Sequence, residues 1–400
     1  AIYCKHIFET SFSNIVFRTN LLSTGGLKCV LREKHTLSLG GALYSEDISK
    51  LSFDHIFMTE NTADYGAGHY SLTIFEISIL QSEYAGNKAH CFGGAISNYK
   101  INHAKYEHCA FRKNSGKDGG GMFAKYGDSL TIINTYFVGN KGQFGVAVFA
   151  ESLSNITVTQ CNFSESLGSH GSAFYSKNTD NIQFTKSLFF KNRATAFGGG
   201  LYLFKIGQVI NKENIFHSNS AGGFGGSIYA KTCRKIVTLN SSFLHNTGAQ
   251  DGAAIKVELS PSHFIFNSYF EGNKVGRYGG ALTVMGGKYF YCFHSNFAKN
   301  SASHGGSVYI TSFRTPLYIK SVLIKNCLVQ GSKALQQGGG MFIFRLESVK
   351  IVFTFLQNNK ALWGGCLNAL DIKLLHNHHV THRSNKAKLV GGAMFLQRVI

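Results

Sequence analysis

Histidine is the residue type in this chain whose spacing most directly suggests metal chemistry. His376, His378, His379 and His382 form its densest histidine cluster. On a strand, His376 and His378 would face the same side two residues apart, close enough to share a transition metal. Histidines on an exposed strand are more often solvated, so we predict no metal site and keep His376 and His378 as the only metal candidates.

Carboxylates could support carbohydrate cleavage. A glycoside hydrolase needs two carboxylates that flank the scissile bond, and a lyase typically needs an acidic calcium site and a basic residue. The chain has eight aspartates, and no two are close in sequence. A pair could still form between distant segments, so a polysaccharide lyase or hydrolase of the pectin-lyase-like fold remains an alternative. The expected protein is not an enzyme and uses no cofactor.

The element that would position these side chains is a repeat. The sequence Gly-Gly-Ala-Leu-Tyr at residues 40–44 returns in related form to give fourteen copies, at intervals of 26 or 27 with a single longer one of 33. An aromatic residue followed three residues later by Asn, as in Phe111 and Asn114, precedes many copies by ten or eleven residues. A fixed period of this length indicates a solenoid, in which each unit buries its apolar face against its neighbours.

The segments between these marks alternate as strands do, for example Leu-Thr-Ile at 130–132 and Ile-Thr-Val at 156–158. A repeat of this length has room for about three strands of roughly five residues. We therefore predict an all-β fold, a right-handed single-stranded parallel β-helix of about 14 coils. Residues 1–30 would form an irregular N-terminal coil or cap, and residues 31–400 the repeat domain.

Equivalent residues of successive coils should lie above one another in columns. The fourth residue of each Gly-Gly-Ala-Leu-Tyr copy (Leu43, Ile96, Met122 and their equivalents) is apolar in thirteen of fourteen coils, which predicts an inward column. Strand alternation then places the next column on the outer face. Its aromatic members either stabilise the sheet by stacking or form a docking strip for a partner. They are Tyr44, Tyr70, Phe123, Phe149, Tyr175, Tyr202, Tyr229, Tyr309, Phe342 and Phe395.

The repeated Gly and Asn have structural explanations. Gly permits left-handed backbone angles at a tight corner. A recurring Asn suits a ladder in which its amide bonds to the coils above and below. Neither repetition indicates catalysis.

The combination of both marks resembles a known family. Gly-Gly-Ala followed by an aliphatic residue (residues 40–43, 93–96, 279–282 and 391–394), paired with Phe-x-x-Asn, resembles the repeats of chlamydial polymorphic membrane proteins. Similar repeats occur in surface proteins of some protists, and the likeness covers about residues 31–400. It implies a surface-displayed β-helix used in adhesion. The strongly basic balance of this chain is not part of that family's pattern.

Cysteines and spacing give three further expectations. Cys4 and Cys29, separated by nearly one repeat length, are the one pair that we expect to be able to form a disulfide. The single longer interval places extra residues near 327–335, where a protruding insertion loop with Cys327 and Lys333 would favour contacts. The sequence stops within a coil, so we expect further chain, or a neighbour, to cover the open end.

Charge suggests the type of partner. The formal net charge is +19, and residues 201–400 carry 22 Lys and Arg against 6 acids. Such a half should attract an acidic surface. No nucleic-acid motif accompanies the charge, and no run of 18 or more apolar residues predicts a membrane span. We expect a non-catalytic extracellular or cell-surface structural protein that contacts protein neighbours, copies of itself or acidic glycans. The alternative is a monomeric glycan-binding adhesin.

Overall fold

The computed structural model describes residues 2–20, 38–312 and 319–399, and it consists of strands, turns and bends. These residues divide into two compact units, Ala1–Ala194 (unit 1) and Thr195–Ile400 (unit 2). No helix in the described residues is long and apolar enough to cross a membrane. Within each unit, successive coils pair as parallel strands in three sheets, which we name sheets A, B and C.

The strands of unit 1 share the same order in each coil: sheet A, then sheet B, then sheet C. Sheet A contains Ile2–Lys5, Glu9–Ser13, Leu43–Asp54, His69–Leu80, Ile96–Glu107, Met122–Ile133, Val148–Thr159 and Phe174–Thr185. Sheet B contains Val16–Arg18, Phe57–Thr59, Glu83–Ala85, Ala110–Arg112, Tyr136–Val138, Asn162–Ser164 and Leu188–Phe190. Sheet C contains Thr62–Tyr65, Lys88–Phe92 and Leu167–His170, with single bridging residues in the coils between. The strand Arg193–Phe197 includes the unit boundary.

Unit 2 repeats this order. Its sheet A contains Leu201–Lys212, Ile228–Lys231, Lys235–Leu239, Ile255–Glu258, Ser262–Phe266, Leu282–Met285, Tyr289–Phe293, Val308–Thr311, Ser321–Lys325, Met341–Val352, Leu367–His378 and Met394–Val399. Sheet B contains Ile215–His217, Ser242–Leu244, Tyr269–Glu271, Asn296–Ala298, Leu328–Gln330, Phe355–Gln357 and Thr381–Arg383. Sheet C contains Ser220–Ala221, Thr247–Gly248, Lys274–Val275, Ser301–His304, Lys333–Gln337, Lys360–Trp363 and Lys386–Val390.

The chain turns its corners with single left-handed residues. Asp47 and Ser152, each the fifth residue of a long sheet A strand, have φ of 54° and 57°. Each copy of the Gly-Gly-Ala-Leu-Tyr sequence, which we call the glycine cassette, places its first glycine at the corner before sheet A. Gly119 has φ +61°, and a Cβ there would lie 2.2 Å from the carbonyl oxygen of Met122. That contact is shorter than atoms allow, so this corner requires glycine.

The inward column predicted from the sequence is confirmed. Leu43, Ile96 and Met122 in unit 1, and Leu201 and Leu282 in unit 2, are fully buried. The polar exception, His69, is also fully buried, with Nε2 within 2.9 Å of Ser71 Oγ and 3.2 Å of Ser45 Oγ. Burial lowers the pKa of His69 to about 3, so this imidazole is neutral in the core.

The aromatic and Asn marks form two buried ladders. Phe111, Phe137 and Phe163 stack with ring centroids 4.7 and 4.9 Å apart. Asn87 donates from its backbone N–H and from Nδ2 to Oδ1 of Asn114, 3.0 Å in each case. The predicted Asn ladder between coils is therefore confirmed.

The insertion lies elsewhere than predicted. Leu282 pairs with Val308 in the next coil, which is an ordinary repeat length, whereas Tyr289 pairs with Ser321, which is a longer step along the chain. The extra residues therefore lie between Thr311 and Ser321, partly outside the described residues, and not near 327–335. The interval between two copies of the glycine repeat gives only the number of added residues. Their place within the coil follows from the register of the paired strands on either side.

The first residues also pair into the sheets. Ile2–Lys5 and Glu9–Ser13 both lie against Leu43–Asp54 in parallel register. The last part of the predicted cap, residues 21–30, lies outside the described residues.

Candidate functional site

The aromatic column predicted to lie on the outer face is mostly buried, so the expectation of an exposed docking strip is wrong. Tyr70, Phe123, Phe149, Tyr175, Tyr229, Tyr309 and Phe342 are each at most 9% exposed. Only Tyr44, Tyr202 and Phe395 are half-buried. The rings do stack along the sheet, for example Phe123 on Phe149 at 5.0 Å.

A second layer of side chains covers this column. In several coils the residue before the corner glycine packs onto an aromatic ring of the column, as Phe92 does on Phe123 at 4.8 Å and Tyr278 on Tyr309 at 4.4 Å. Strand alternation alone gives the side of a strand on which a ring lies and does not show what lies above it.

One coil replaces this aromatic pair with charges. Lys256 occupies the aromatic column and Asp251 precedes the corner glycine, and both are buried. Lys256 Nζ lies 2.9 Å from Asp251 Oδ2, and Arg277 Nε lies 2.8 Å from Asp251 Oδ1. Burial lowers the pKa of Lys256, and the Asp251 carboxylate opposes that shift. The Phe224 ring centroid is 3.3 Å from the same ammonium nitrogen.

The cysteine expectations are not met. Cys4 is a free, buried cysteine, so the predicted bridge to Cys29 is wrong, and Cys29 itself lies outside the described residues. Burial raises the pKa of the Cys4 thiol. Cys327 does not lie in a protruding loop, because it is buried in the short corner between Ser321–Lys325 and Leu328–Gln330, with its Sγ 3.7 Å from Sγ of Cys292. A separation of nearly one repeat length brings two cysteines together only when both occupy the same column.

His376 and His378 are both exposed on Leu367–His378, as strand alternation predicts. Within the described ranges, no group of three His, Cys, Asp or Glu side chains is placed to hold a metal ion. Lys333 is exposed on the sheet C strand Lys333–Gln337.

The outer face of sheet A differs between equivalent positions of the two units. In unit 1, the outward column near the end of each long strand is polar, with Ser52, Ser78, Lys105, Thr131 and Thr157 in register. In unit 2, the same column contains Val237, Phe264, Tyr291 and Leu323. The exchange of polar for apolar side chains is therefore local to a few coils.

Five rings on this face form what we call the aromatic face: Phe264, Phe266, Tyr289, Tyr291 and Phe293. Tyr289 is 40% exposed and the other four are half-buried. Phe266 and Phe293 stack at 5.3 Å, which leaves their edges towards solvent. The Tyr291 ring contacts Phe264 and Phe293 edge-on, at interplanar angles of 66° and 77°.

Cations surround the aromatic face. Lys235 Nζ lies 5.9 Å from the centroid of the Phe264 ring, and Lys288 is exposed beside Tyr289. Lys325 follows Phe293 in its column. The four strands that form this face, Lys235–Leu239, Ser262–Phe266, Tyr289–Phe293 and Ser321–Lys325, contain no Asp or Glu. The aromatic face is therefore an apolar surface with cations at its rim and with tyrosine hydroxyls that can form hydrogen bonds.

A sequence pattern that is separate from the glycine and Asn repeats indicates the aromatic face. Ser-His-Phe-Ile-Phe at 262–266 and Tyr-Phe-Tyr-Cys-Phe at 289–293 concentrate rings at alternate positions of consecutive coils. The glycine repeat instead indicates the column of Tyr44, which lies at the start of the long strands.

Comparison with known proteins supports the fold. A family model described as a right-handed beta helix region matches residues 145–298. A search of curated proteins and a search of solved structures each found no match to the chain. The family match agrees with the parallel pairing of successive coils in both units. The chain is a right-handed parallel β-helix protein.

Proposed function

We propose that this chain is a non-catalytic cell-surface or extracellular protein whose β-helix binds glycans through the aromatic face. The observation that carries the proposal is the replacement of the polar column of unit 1 by Phe264, Tyr291 and their neighbours in consecutive coils of unit 2. Contiguous exposed apolar surface with a polar rim is typical of interaction sites.

A glycan fits this surface for three physical reasons. The C–H faces of sugar rings pack on aromatic rings, while sugar hydroxyls bond to groups such as the Tyr289 hydroxyl. The absence of carboxylates on the four strands, with Lys235 and Lys288 at the rim, also favours acidic sugars. Finally, coils repeat every 4.8 Å or so, so a linear polysaccharide can make the same contact on successive coils.

The repeat itself supports a role in surface adhesion. Its Gly-Gly-Ala cassettes and Phe-x-x-Asn marks are similar to those of polymorphic membrane proteins, whose repeats are displayed at the cell surface. The proposed protein would thus be a scaffold that holds a binding face.

The test is affinity electrophoresis of the protein against a panel of neutral and acidic polysaccharides. An aromatic contact contributes about 0.5–1.5 kcal/mol beyond its buried area. The double variant Tyr289→Ala/Tyr291→Ala should therefore weaken binding about 5- to 100-fold. The matched control is Thr131→Ala/Thr157→Ala, in the equivalent column of unit 1, which should bind like the wild type.

Three outcomes would overturn the proposal. One is a folded protein that binds none of the polysaccharides, and another is a tyrosine double variant that binds as well as the wild type. The third is loss of self-association in that variant without loss of glycan binding, which would make the face a contact between copies. Incubation with the same polysaccharides should leave their chain length unchanged, whereas new reducing ends would indicate an enzyme.

A further inference from the structure

Sheet C of unit 2 carries a row of lysines on consecutive coils. Lys333 pairs in register with Lys360, and Lys360 pairs with Lys386. All three side chains are exposed. Because successive coils are about 4.8 Å apart, the backbones of the three lysines follow one another at that repeat.

These lysines line a shallow groove. Strand alternation places Ala334 between the outward residues Lys333 and Leu335, and Ala334 is 8% exposed whereas Leu335 is 75% exposed. The next two coils repeat the pattern with Ala361 and Ala387 at the floor. The groove is lined by Lys333, Ala334, Leu335, Lys360, Ala361, Leu362, Lys386, Ala387 and Lys388.

The charges of this groove are not compensated by nearby acids. No Asp or Glu is among its lining residues. Among the described residues, the ion pairs of unit 2 involve other cations, such as Lys299 with Glu271 and Arg398 with Asp371. Like charges directly opposite one another in a sheet are destabilising. This row of like charges lowers the stability of the fold. The simplest explanation for its presence is a ligand that neutralises the charges.

The row is local, as a site would be. At the same position of other coils, lysines stand apart. Lys88 pairs with Thr62 and Ser115, and Lys274 pairs with Thr247 and Ser301. Among the coils that the structure describes, those of Lys333, Lys360 and Lys386 put the cations next to one another.

We propose that this lysine groove binds a linear acidic polysaccharide, with its carboxylate or sulfate groups on successive lysines. A single-stranded nucleic acid would need aromatic side chains on which bases stack, and the groove offers Ala and Leu. The apolar floor and Leu335 suit the C–H surface of sugar rings. This site does not depend on the aromatic face, which lies on another sheet.

The test measures the affinity for fluorescently labelled heparin and hyaluronate by anisotropy at several salt concentrations. Each lysine that neutralises an anionic group adds about one to the slope of log K against log salt. The triple variant Lys333→Gln/Lys360→Gln/Lys386→Gln should bind more weakly and lose about 2 to 3 from that slope.

The control variant Lys88→Gln/Lys141→Gln/Lys274→Gln removes the same net charge from the same repeat position. We expect it to keep most of the affinity and the slope. Equal losses in the two variants would show that binding follows net charge, which would overturn the site. Binding to neither polysaccharide, or equally strong binding of duplex DNA with the same slope, would overturn it as well. Circular dichroism checks that both variants fold. Added to the tyrosine double variant, the triple lysine substitution should again remove about 2 to 3 from the slope, because the groove does not depend on the aromatic face.

Discussion

The buried charges in the aromatic column allow a quantitative test of how this fold tolerates polar groups. Asp251 is fully buried, and it accepts hydrogen bonds from Lys256 and from two nitrogens of Arg277, at 2.8 and 2.9 Å. In the preceding coil the equivalent residues are Phe224 and Tyr229, whose ring centroids lie 5.9 Å apart. The informative perturbation therefore compares Asp251→Asn, Lys256→Tyr and the double variant Asp251→Phe/Lys256→Tyr.

The expected free energies differ because the charges left behind differ. Asp251→Asn leaves the Lys256 ammonium buried without a carboxylate, which typically costs about 3–5 kcal/mol. The Phe224 ring retains some stabilisation of that cation, so the lower end is expected. Lys256→Tyr leaves Asp251 paired with Arg277 and should cost about 1–3 kcal/mol. The double variant restores the ring pair of the preceding coil and should lie within about 1 kcal/mol of the wild type.

The assay is guanidinium denaturation of the whole chain, followed by circular dichroism. The double variant should be more stable than Asp251→Asn by about 2 kcal/mol or more. A double variant that is the least stable of the three would refute the reasoning. That result would show that these charges stabilise the coil in a way that aromatic packing cannot replace.

Two further predictions concern unit 1. Asn114→Ala removes four buried side-chain hydrogen bonds, including those to Tyr84 O at 2.8 Å and Asn140 Oδ1 at 3.2 Å, and should lower the free energy of unfolding by about 2–5 kcal/mol. The exposed Asn155→Ala should change it by less than about 0.5 kcal/mol. Burial raises the pKa of Asp118 to about 6, so its contribution to stability is lost as pH rises from its ordinary pKa of about 4 through 6. Asp118→Asn should thus stabilise the protein by up to about 3 kcal/mol at about pH 7, and by little below about pH 4. Denaturation at both pH values measures this difference. An equal effect of the substitution at both pH values would contradict the prediction.

Much of the fold was predictable because a β-helix repeats its constraints. The glycine period identified the coils, and alternation placed Leu43 and Met122 inside. The Asn ladder followed from one residue type that recurs at a corner. Each of these inferences needs only the local sequence and the period.

Exposure was not predictable in the same way. Tyr175 faces away from the core, as expected, but Phe144 of the preceding coil covers it, with ring centroids 5.7 Å apart. The lysine groove needed the register of three coils, although Asn-Lys-Ala at 359–361 and 385–387 was visible in the sequence. The local sequence pattern predicts which side of a strand a residue faces. Whether that residue is buried depends on its contacts with side chains of other coils.

The Asn ladder gives each unit a direction. In unit 1, Oδ1 of Asn87, Asn114 and Asn140 each accepts the backbone N–H of the Asn one coil earlier, at 3.0 Å. In unit 2, Asn246, Asn273 and Asn300 do the same for their predecessors. The later coil therefore supplies the acceptor for two N–H groups of Asn114, its backbone N–H and Nδ2, whereas the earlier coil supplies the acceptor for one, Nδ2, through Tyr84 O. Damage to one rung should consequently loosen the preceding coil more than the following one, so that unzipping within a unit has a preferred sense.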